Sequence, residues 1–153
     1  MQRGVRVSWF LMATLLFACG GCGGRDPSLP PLVPVEGTVT LNGTPLADAN
    51  VQFHPMGNTL GRGAAAVTNA EGRYSLIAPD GSDGAPVGEY RVVIGKLVMP
   101  DGSLFTPTDD VAPMDSPARE LLPEYYSMFE RSTLTATVPE GGGSVDFQLT
   151  SRR

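Results

Sequence analysis

Short segments in which apolar and polar residues alternate one by one recur along this chain, and they constrain its fold most strongly. Val35–Leu41, residues 90–94 and Leu134–Val138 each place apolar or small residues at every second position. Successive side chains of a β-strand point to opposite faces, so this period of two predicts strands with one buried face. Turn residues separate the segments, and no long window beyond residue 18 has a helical period. The sequence therefore predicts an all-β fold, an antiparallel β-sandwich of about seven strands over residues 35–150.

Three clusters of turn residues predict how consecutive strands are joined. Asn42-Gly43 is the pair most typical of a two-residue hairpin, because both residues tolerate positive φ. Residues 69–72, Asn-Ala-Glu-Gly, predict a hairpin between the segments on either side of them. Residues 139–143, which include three glycines, predict a closing hairpin between the last two strands. These turns indicate that strands adjacent in the sequence pair with each other.

The segment at residues 99–131 interrupts this pattern, because it has five prolines and no sustained period. We expect it to form a long loop with a helical turn at residues 117–122, and loops of this length are typically functional or disordered. It is therefore the best candidate for a partner-contacting element. Tyr125, Tyr126 and Phe129 form its densest aromatic patch and are candidate binding residues for a partner or a glycan. Alternatively, these rings cover one open end of the sandwich.

Charge and cysteine content exclude several classes of protein. The net formal charge is −5, with a single lysine and no basic cluster, so the sequence predicts no binding to nucleic acid. An anionic membrane would also repel this domain, so membrane contact is expected from an anchor rather than from a face of the domain. Cys19 and Cys22 are the only cysteines, and both precede the strands. No disulfide therefore stabilises the domain, which depends on its hydrophobic core.

The sequence offers few residues for catalysis or metal binding. His54 is the only histidine, whereas a zinc site needs three or four ligands and no cysteine lies in the domain. A Ser-His-Asp mechanism would have to use His54, and no Gly-x-Ser-x-Gly motif is present. Turn chemistry accounts for the acidic residues at 80–84 and at 109–115. We therefore expect no enzyme activity, no cofactor and no metal site.

The N-terminal segment has the layout of an export signal. Residues 1–6 contain two arginines and no acid, and residues 7–18 are largely apolar. This apolar run is shorter than the roughly 18 residues that indicate a membrane-spanning helix. A small residue, Ala18, then precedes Cys19. The order predicts a signal peptide over residues 1–18.

This N-terminal pattern resembles the signal of bacterial lipoproteins, in which the cysteine after the apolar run is lipidated and becomes the first mature residue. The resemblance implies lipidation of Cys19. Cys22 is a rival acceptor that lacks the aliphatic residue three positions before it, and an ordinary secretory signal cleaved near Ala18 is the other alternative. Residues 19–34, rich in glycine and then proline, would tether the domain to a membrane of the cell envelope. Whether that membrane is the inner or the outer one stays open.

The strand segments also resemble a known domain family. They are similar in order and spacing to carboxypeptidase regulatory-like domains, which have a transthyretin-like (prealbumin-like) fold. The matching stretches are Gly37-Thr38-Val39, Asn42-Gly43-Thr44-Pro45-Leu46, Ala49-Asn50-Val51-Gln52-Phe53, residues 68–76 and Gly88-Glu89-Tyr90-Arg91-Val92. The resemblance implies a non-catalytic binding, structural or accessory module, and we expect its partner to be an unidentified envelope protein or glycan. The alternative function is binding of a carbohydrate or another envelope polymer.

Overall fold

The computed structural model describes residues 30–105 and 116–151 and shows an all-β sandwich, which confirms the predicted fold class. Within these residues, seven strands have three residues or more, in agreement with the predicted number. They are β2 (Val35–Leu41), β4 (Asn50–Pro55), β5 (Ala64–Val67), β6 (Arg73–Ser75), β8 (Gly88–Gly95), β11 (Leu134–Val138) and β13 (Phe147–Leu149). The shorter elements are β1 (Leu32–Val33), β3 (Thr44–Pro45), β7 (Ala85–Pro86), β9 (Leu97–Val98), β10 (Arg119–Glu120), β12 (Gly143–Ser144) and helix α1 (Glu124–Ser127).

Two sheets form the layers of the sandwich. The four-stranded sheet has the order β11-β8-β4-β5 and is antiparallel throughout. In the other sheet β2 is central, and we call it the β2 sheet. Strands β3 and β6 run antiparallel to β2, whereas β12 and β13 run parallel to it. The sandwich is thus antiparallel except where the end of the chain returns along β2.

The turn at Asn42-Gly43 agrees with its prediction. Both residues have positive φ, 52° and 82°, and they join β2 to the antiparallel β3. Asparagine and glycine are the residues that adopt this left-handed conformation at least cost. The sequence therefore defines this hairpin locally.

Two other predicted hairpins are wrong. Strands β11 and β13 do not pair, because β11 belongs to the four-stranded sheet and β13 to the β2 sheet. Strands β5 and β6 likewise separate into different sheets after residues 69–72, although Ala65 and Ile77 still exchange backbone hydrogen bonds. In both cases the two strands bury their apolar faces against the same core from opposite sides. Because either sheet can bury such a face against the core, the alternation does not determine the sheet to which each strand belongs.

The core lies between the two sheets and contains the apolar positions of the alternating segments. Phe53 on β4 is at its centre, with its ring centroid 5.6 Å from that of Tyr90, 6.2 Å from Phe147 and 6.4 Å from Tyr74. Tyr74 and Phe147 come from the β2 sheet, so these aromatic contacts join the layers. The largest fully buried side chains are Tyr90, Phe53, Leu76, Ile94, Leu149, Val35, Val39, Val51, Val92 and Val138.

Two boundaries differ from the predictions. Leu32–Val33, expected in the tether, pairs with Ala85–Pro86, so the ordered domain includes residues before Val35. The helical turn expected at residues 117–122 is wrong, because Arg119–Glu120 pairs as a strand with Leu97–Val98. The helix begins later, at Glu124–Ser127. Pro123 precedes it with a φ of −57°, a value that suits the start of a helix.

Several predictions fall outside the described residues. These are the signal at residues 1–18, the lipidation candidates Cys19 and Cys22, and the acidic residues at 109–115. In the part of the chain that the structure describes, no helix is long and apolar enough to cross a membrane.

Candidate binding groove

The outer face of the four-stranded sheet presents a row of polar side chains. Asn50, Gln52 and His54 lie at alternate positions of β4, and the intervening Val51 and Phe53 are buried in the core. The apolar residues occupy the core face, so the polar residues necessarily face outward. These three side chains form the floor of a groove.

Described residues of the excursion (residues 99–131), among them Leu104, Phe105 and Phe129, form part of the walls of the groove. Its start and its return are joined by the antiparallel pairing of β9 with β10, in which Leu97 is opposite Glu120. One oxygen of the Glu120 carboxylate, Oε1, accepts the backbone N–H of Lys96 at 2.8 Å and that of Leu122 at 2.9 Å. The other, Oε2, would lie 2.8 Å from a Cβ at Gly95. A glycine at the end of β8 therefore allows this carboxylate to attach the excursion to the sheet.

The two predicted tyrosines attach the excursion at its other end. Tyr126 is only 9% exposed and belongs to the core, and Tyr125 packs against that core. The Tyr126 hydroxyl accepts the backbone N–H of Thr150 at 3.3 Å, and the Tyr125 hydroxyl donates to the Thr150 carbonyl at 3.3 Å. Neither tyrosine lines the groove. Their place in the fold is structural, and a binding role for them stays a prediction of the sequence.

Phe129, the third predicted aromatic residue, does line the groove. Its ring meets the His54 imidazole edge to face, with the two centroids 5.0 Å apart. The guanidinium of Arg91, which is opposite His54 on β8, lies over the Phe129 ring at 5.4 Å. The phenylalanine side chain is still 45% exposed. The excursion thus presents a half-exposed aromatic ring at one end of the polar row.

The groove has a volume of about 590 Å³, within the range of roughly 300–1,000 Å³ that is typical of small-molecule sites. Beside the polar floor, its walls are mainly apolar or aromatic and include Val67, Leu104, Phe105 and Phe129. In such sites, a few polar groups surrounded by apolar side chains orient the ligand. The arrangement is suited to binding.

The charged groups at the other end of the groove are occupied by contacts within the protein. Lys96 donates from Nζ to the Ala47 carbonyl at 2.7 Å and lies 4.0 Å from the Asp48 carboxylate. Glu120 is held by the two backbone N–H groups described above. The floor between these residues and Phe129 carries neutral amides and one imidazole.

A second depression, of about 250 Å³, lies on the β2 sheet, where polar groups satisfy one another. Asp146 accepts both the N–H and the hydroxyl of Thr38 at 2.7 Å, and these hydrogen bonds lower the pKa of that carboxyl. The Tyr74 hydroxyl donates to the Val145 carbonyl at 2.6 Å, and burial raises the pKa of this tyrosine. This network connects β2 with the returning chain and has a structural role.

Acidic residues in the described parts of the chain do not gather into a metal site. No three side chains of the His, Cys, Asp and Glu types lie close enough together there to hold a metal ion. Asp80 accepts the N–H of Ser82, and Asp101 accepts the N–H and hydroxyl of Ser103. These contacts are typical of turns closed by an aspartate, and those from Ser103 lower the pKa of Asp101.

No family model matches the chain, and no curated protein matches it. Among solved structures, the chain is similar to a DUF3823 family protein from Parabacteroides merdae ATCC 43184, with 15% sequence identity and a TM-score of 0.36. The match covers 79% of this chain and 46% of the other, so the chain spans less than half of that protein. A likeness at this level supports no functional inference.

Phe129 is a binding candidate from the sequence, whereas the sequence pattern favoured a solvent-facing structural role for His54 and did not point to the amides of Asn50 and Gln52. Their outward orientation follows from the same alternation that places Val51 and Phe53 in the core. That signal was present in the sequence. No local pattern in the sequence indicates that residues such as Leu104, Phe105 and Phe129 of the excursion lie beside this row.

Proposed function

We propose that this protein is an exported, lipid-anchored protein of the cell envelope whose β-sandwich serves as a non-catalytic binding or accessory module. The observation that carries the binding role is the groove in which the excursion covers the polar row of β4. A long loop that adds an aromatic ring to an outward polar face resembles a recognition element on a rigid scaffold. The proposed relationship to carboxypeptidase regulatory-like domains rests on the sequence motifs and agrees with an all-β sandwich.

The anchor rests on the N-terminal sequence alone. A single acyl chain holds a protein only marginally at a membrane, at about 0.8 kcal/mol per buried CH₂ group, whereas two or three chains hold it firmly. In Cys19→Ser we expect loss of membrane partitioning, while Cys22→Ser, the matched control, should keep it. The mass of the mature N-terminal peptide checks both variants. Membrane-bound, processed Cys19→Ser protein would refute lipidation at Cys19.

The binding role is tested by a crosslinking pull-down from membranes. Phe129→Ala removes the exposed ring at the groove, and Met128→Ala is its matched control because both side chains are 45% exposed and Met128 does not line the groove. We expect partners to be lost with Phe129→Ala and kept with Met128→Ala. Point variants are preferable to deletion of the excursion, which would remove the buried Leu122 and Tyr126 from the core. An unchanged set of partners in Phe129→Ala would count against the groove.

A second candidate function is binding of a carbohydrate or another envelope polymer. The specific observation in its favour is the half-exposed ring of Phe129 next to polar side chains on a groove floor. Aromatic rings provide large contact areas at low conformational cost. The test is a pull-down with isolated cell-wall material. If the Phe129→Ala variant binds this material as well as the wild-type protein does, the result would count against this candidate.

A further inference from the structure

The amide side chains of Asn50 and Gln52 have unused hydrogen-bonding capacity. Neither amide is bonded to any group in residues 30–105 or 116–151, although each offers two N–H donors and an acceptor oxygen. They lie at alternate positions of one strand, which are about 6.6 Å apart. β4 lies between β5 and β8, so its backbone holds the two amides in a fixed relation.

The electrostatics of the groove favour a ligand without charge. The floor has no carboxylate or ammonium group; at its end Glu120 accepts two backbone N–H groups, and the half-exposed Asp48 carboxylate lies 4.0 Å from the Lys96 ammonium. An anion would meet these acids and the overall negative charge of the chain. A cation would have to compete with Lys96 for Asp48. A ligand with many neutral hydrogen-bond donors and acceptors avoids both the repulsion and the competition.

We infer that the groove binds an uncharged saccharide, whose hydroxyl groups bond to the amides of Asn50 and Gln52 while one sugar ring packs against Phe129. A sugar has hydroxyl groups on its edges and an apolar C–H face. Asparagine and glutamine amides pair with adjacent hydroxyls through both a donor and an acceptor. An aromatic ring packs on the apolar face. This inference deepens the second candidate function and rests on it.

A titration of the processed full-length lipoprotein with defined sugars tests the inference. The protein is held in zwitterionic detergent, because glycosidic detergents would compete for the groove. The neutral probes are the tetramer of N-acetylglucosamine and maltotetraose, and the acidic probe is tetragalacturonate. His54 is the only histidine and lies on the groove floor, so its imidazole NMR signals report binding without ambiguity.

We expect at least one neutral tetramer to shift the His54 signals saturably, and tetragalacturonate not to shift them. Asn50→Ala combined with Gln52→Ala should weaken the affinity about tenfold or more, because two hydroxyl contacts are lost together. Thr135→Ala, on the edge strand β11 and outside the groove, is the matched control and should bind as the wild type does. Both substitutions are on the outer face, so folding is checked by the unchanged melting temperature.

Failure of both neutral tetramers to shift the His54 signals at millimolar concentration would overturn the inference. So would a saccharide affinity that survives the double substitution. If no sugar binds but Phe129→Ala still loses a protein partner in the pull-down, the saccharide inference fails and the proposed binding module stands. If sugars bind with the predicted pattern, the ligand class is established whether or not a protein partner is recovered.

Discussion

The imidazole of His54 packs edge to face against the ring of Phe129, with their centroids 5.0 Å apart. His54 is on the central part of the four-stranded sheet, and Phe129 is near the end of the excursion. This contact fixes where an aromatic ring lies relative to the amide row of β4. The shape of the groove therefore depends on the contacts that hold the excursion in place and on the fold beneath them.

Replacing Gly37 should be strongly destabilising. A Cβ at this position would lie 1.9 Å from the Val145 carbonyl oxygen, and this backbone cannot move aside without disturbing its hydrogen bond from Tyr74. For Gly37→Ala we expect a loss of roughly 3 kcal/mol in the free energy of unfolding. Urea denaturation measures it. Gly141→Ala is the control, because nothing lies within 4 Å of a Cβ there, and equal stability of the two variants would refute the close approach.

Removing the Glu120 carboxylate should loosen the excursion. In Glu120→Ala the backbone N–H groups of Lys96 and Leu122 lose their acceptor, at a cost of about 1 kcal/mol that falls mainly on this segment. We expect trypsin to cleave faster after Arg119, which pairs in β10. Glu130→Ala, exposed on the same excursion, should be cleaved at the wild-type rate. An unchanged rate in Glu120→Ala would mean that this carboxylate does not hold the excursion.

The buried hydroxyl of Thr68 should matter more than its size suggests. Thr68 is only 2% exposed. Its Oγ1 donates a hydrogen bond to the Leu46 carbonyl at 2.6 Å and accepts one from the Ala49 N–H at 2.8 Å. Thr68→Val keeps the shape but leaves two buried backbone groups unsatisfied, so we expect a loss of about 2 kcal/mol. Thermal denaturation provides the measurement. Thr135→Val, on an exposed strand position, should change stability little, and similar behaviour of both variants would contradict the prediction.

The hydrogen bonds from Thr38 lower the pKa of Asp146 below its ordinary value of 3.8. The free energy of unfolding should therefore depend on pH through this carboxyl group. A carboxyl with a lowered folded-state pKa stabilises fully above the unfolded value and loses that effect as the pH falls through the folded one. Between about pH 6 and about pH 3, Asp146→Asn should therefore lose less stability than the wild type does. Denaturant midpoints at the two pH values measure this. Glu140→Gln is the surface control, and parallel losses in Asp146→Asn and wild type would exclude the effect.

The faces of the strands could be predicted from the sequence, but the partners of several strands could not. Alternation correctly placed Val51, Phe53 and Tyr90 in the core, because the period of two follows from strand geometry alone. The same pattern carries no information about which sheet receives a strand. Phe147 and Leu149 would be equally buried in a hairpin with β11, and the parallel pairing of β13 with β2 arises from the packing of the whole sandwich.

In the groove, too, some features could be predicted from the sequence and others could not. The outward position of His54 follows from its strand, and the aromatic patch that contains Phe129 was visible in the sequence. Their contact depends on an aperiodic segment held by Glu120, whose two backbone bonds are not encoded in any local pattern. Long-range contacts of this kind become visible only in the folded chain.

The position of the excursion over the four-stranded sheet is tested most directly by proton NMR of the His54 imidazole, whose signals are unique because the chain has one histidine. We predict nuclear Overhauser contacts between the His54 and Phe129 ring protons, together with a ring-current shift that disappears in Phe129→Leu. His54 signals at the positions of an unstructured peptide, without contacts to Phe129 and unchanged in Phe129→Leu, would contradict the groove.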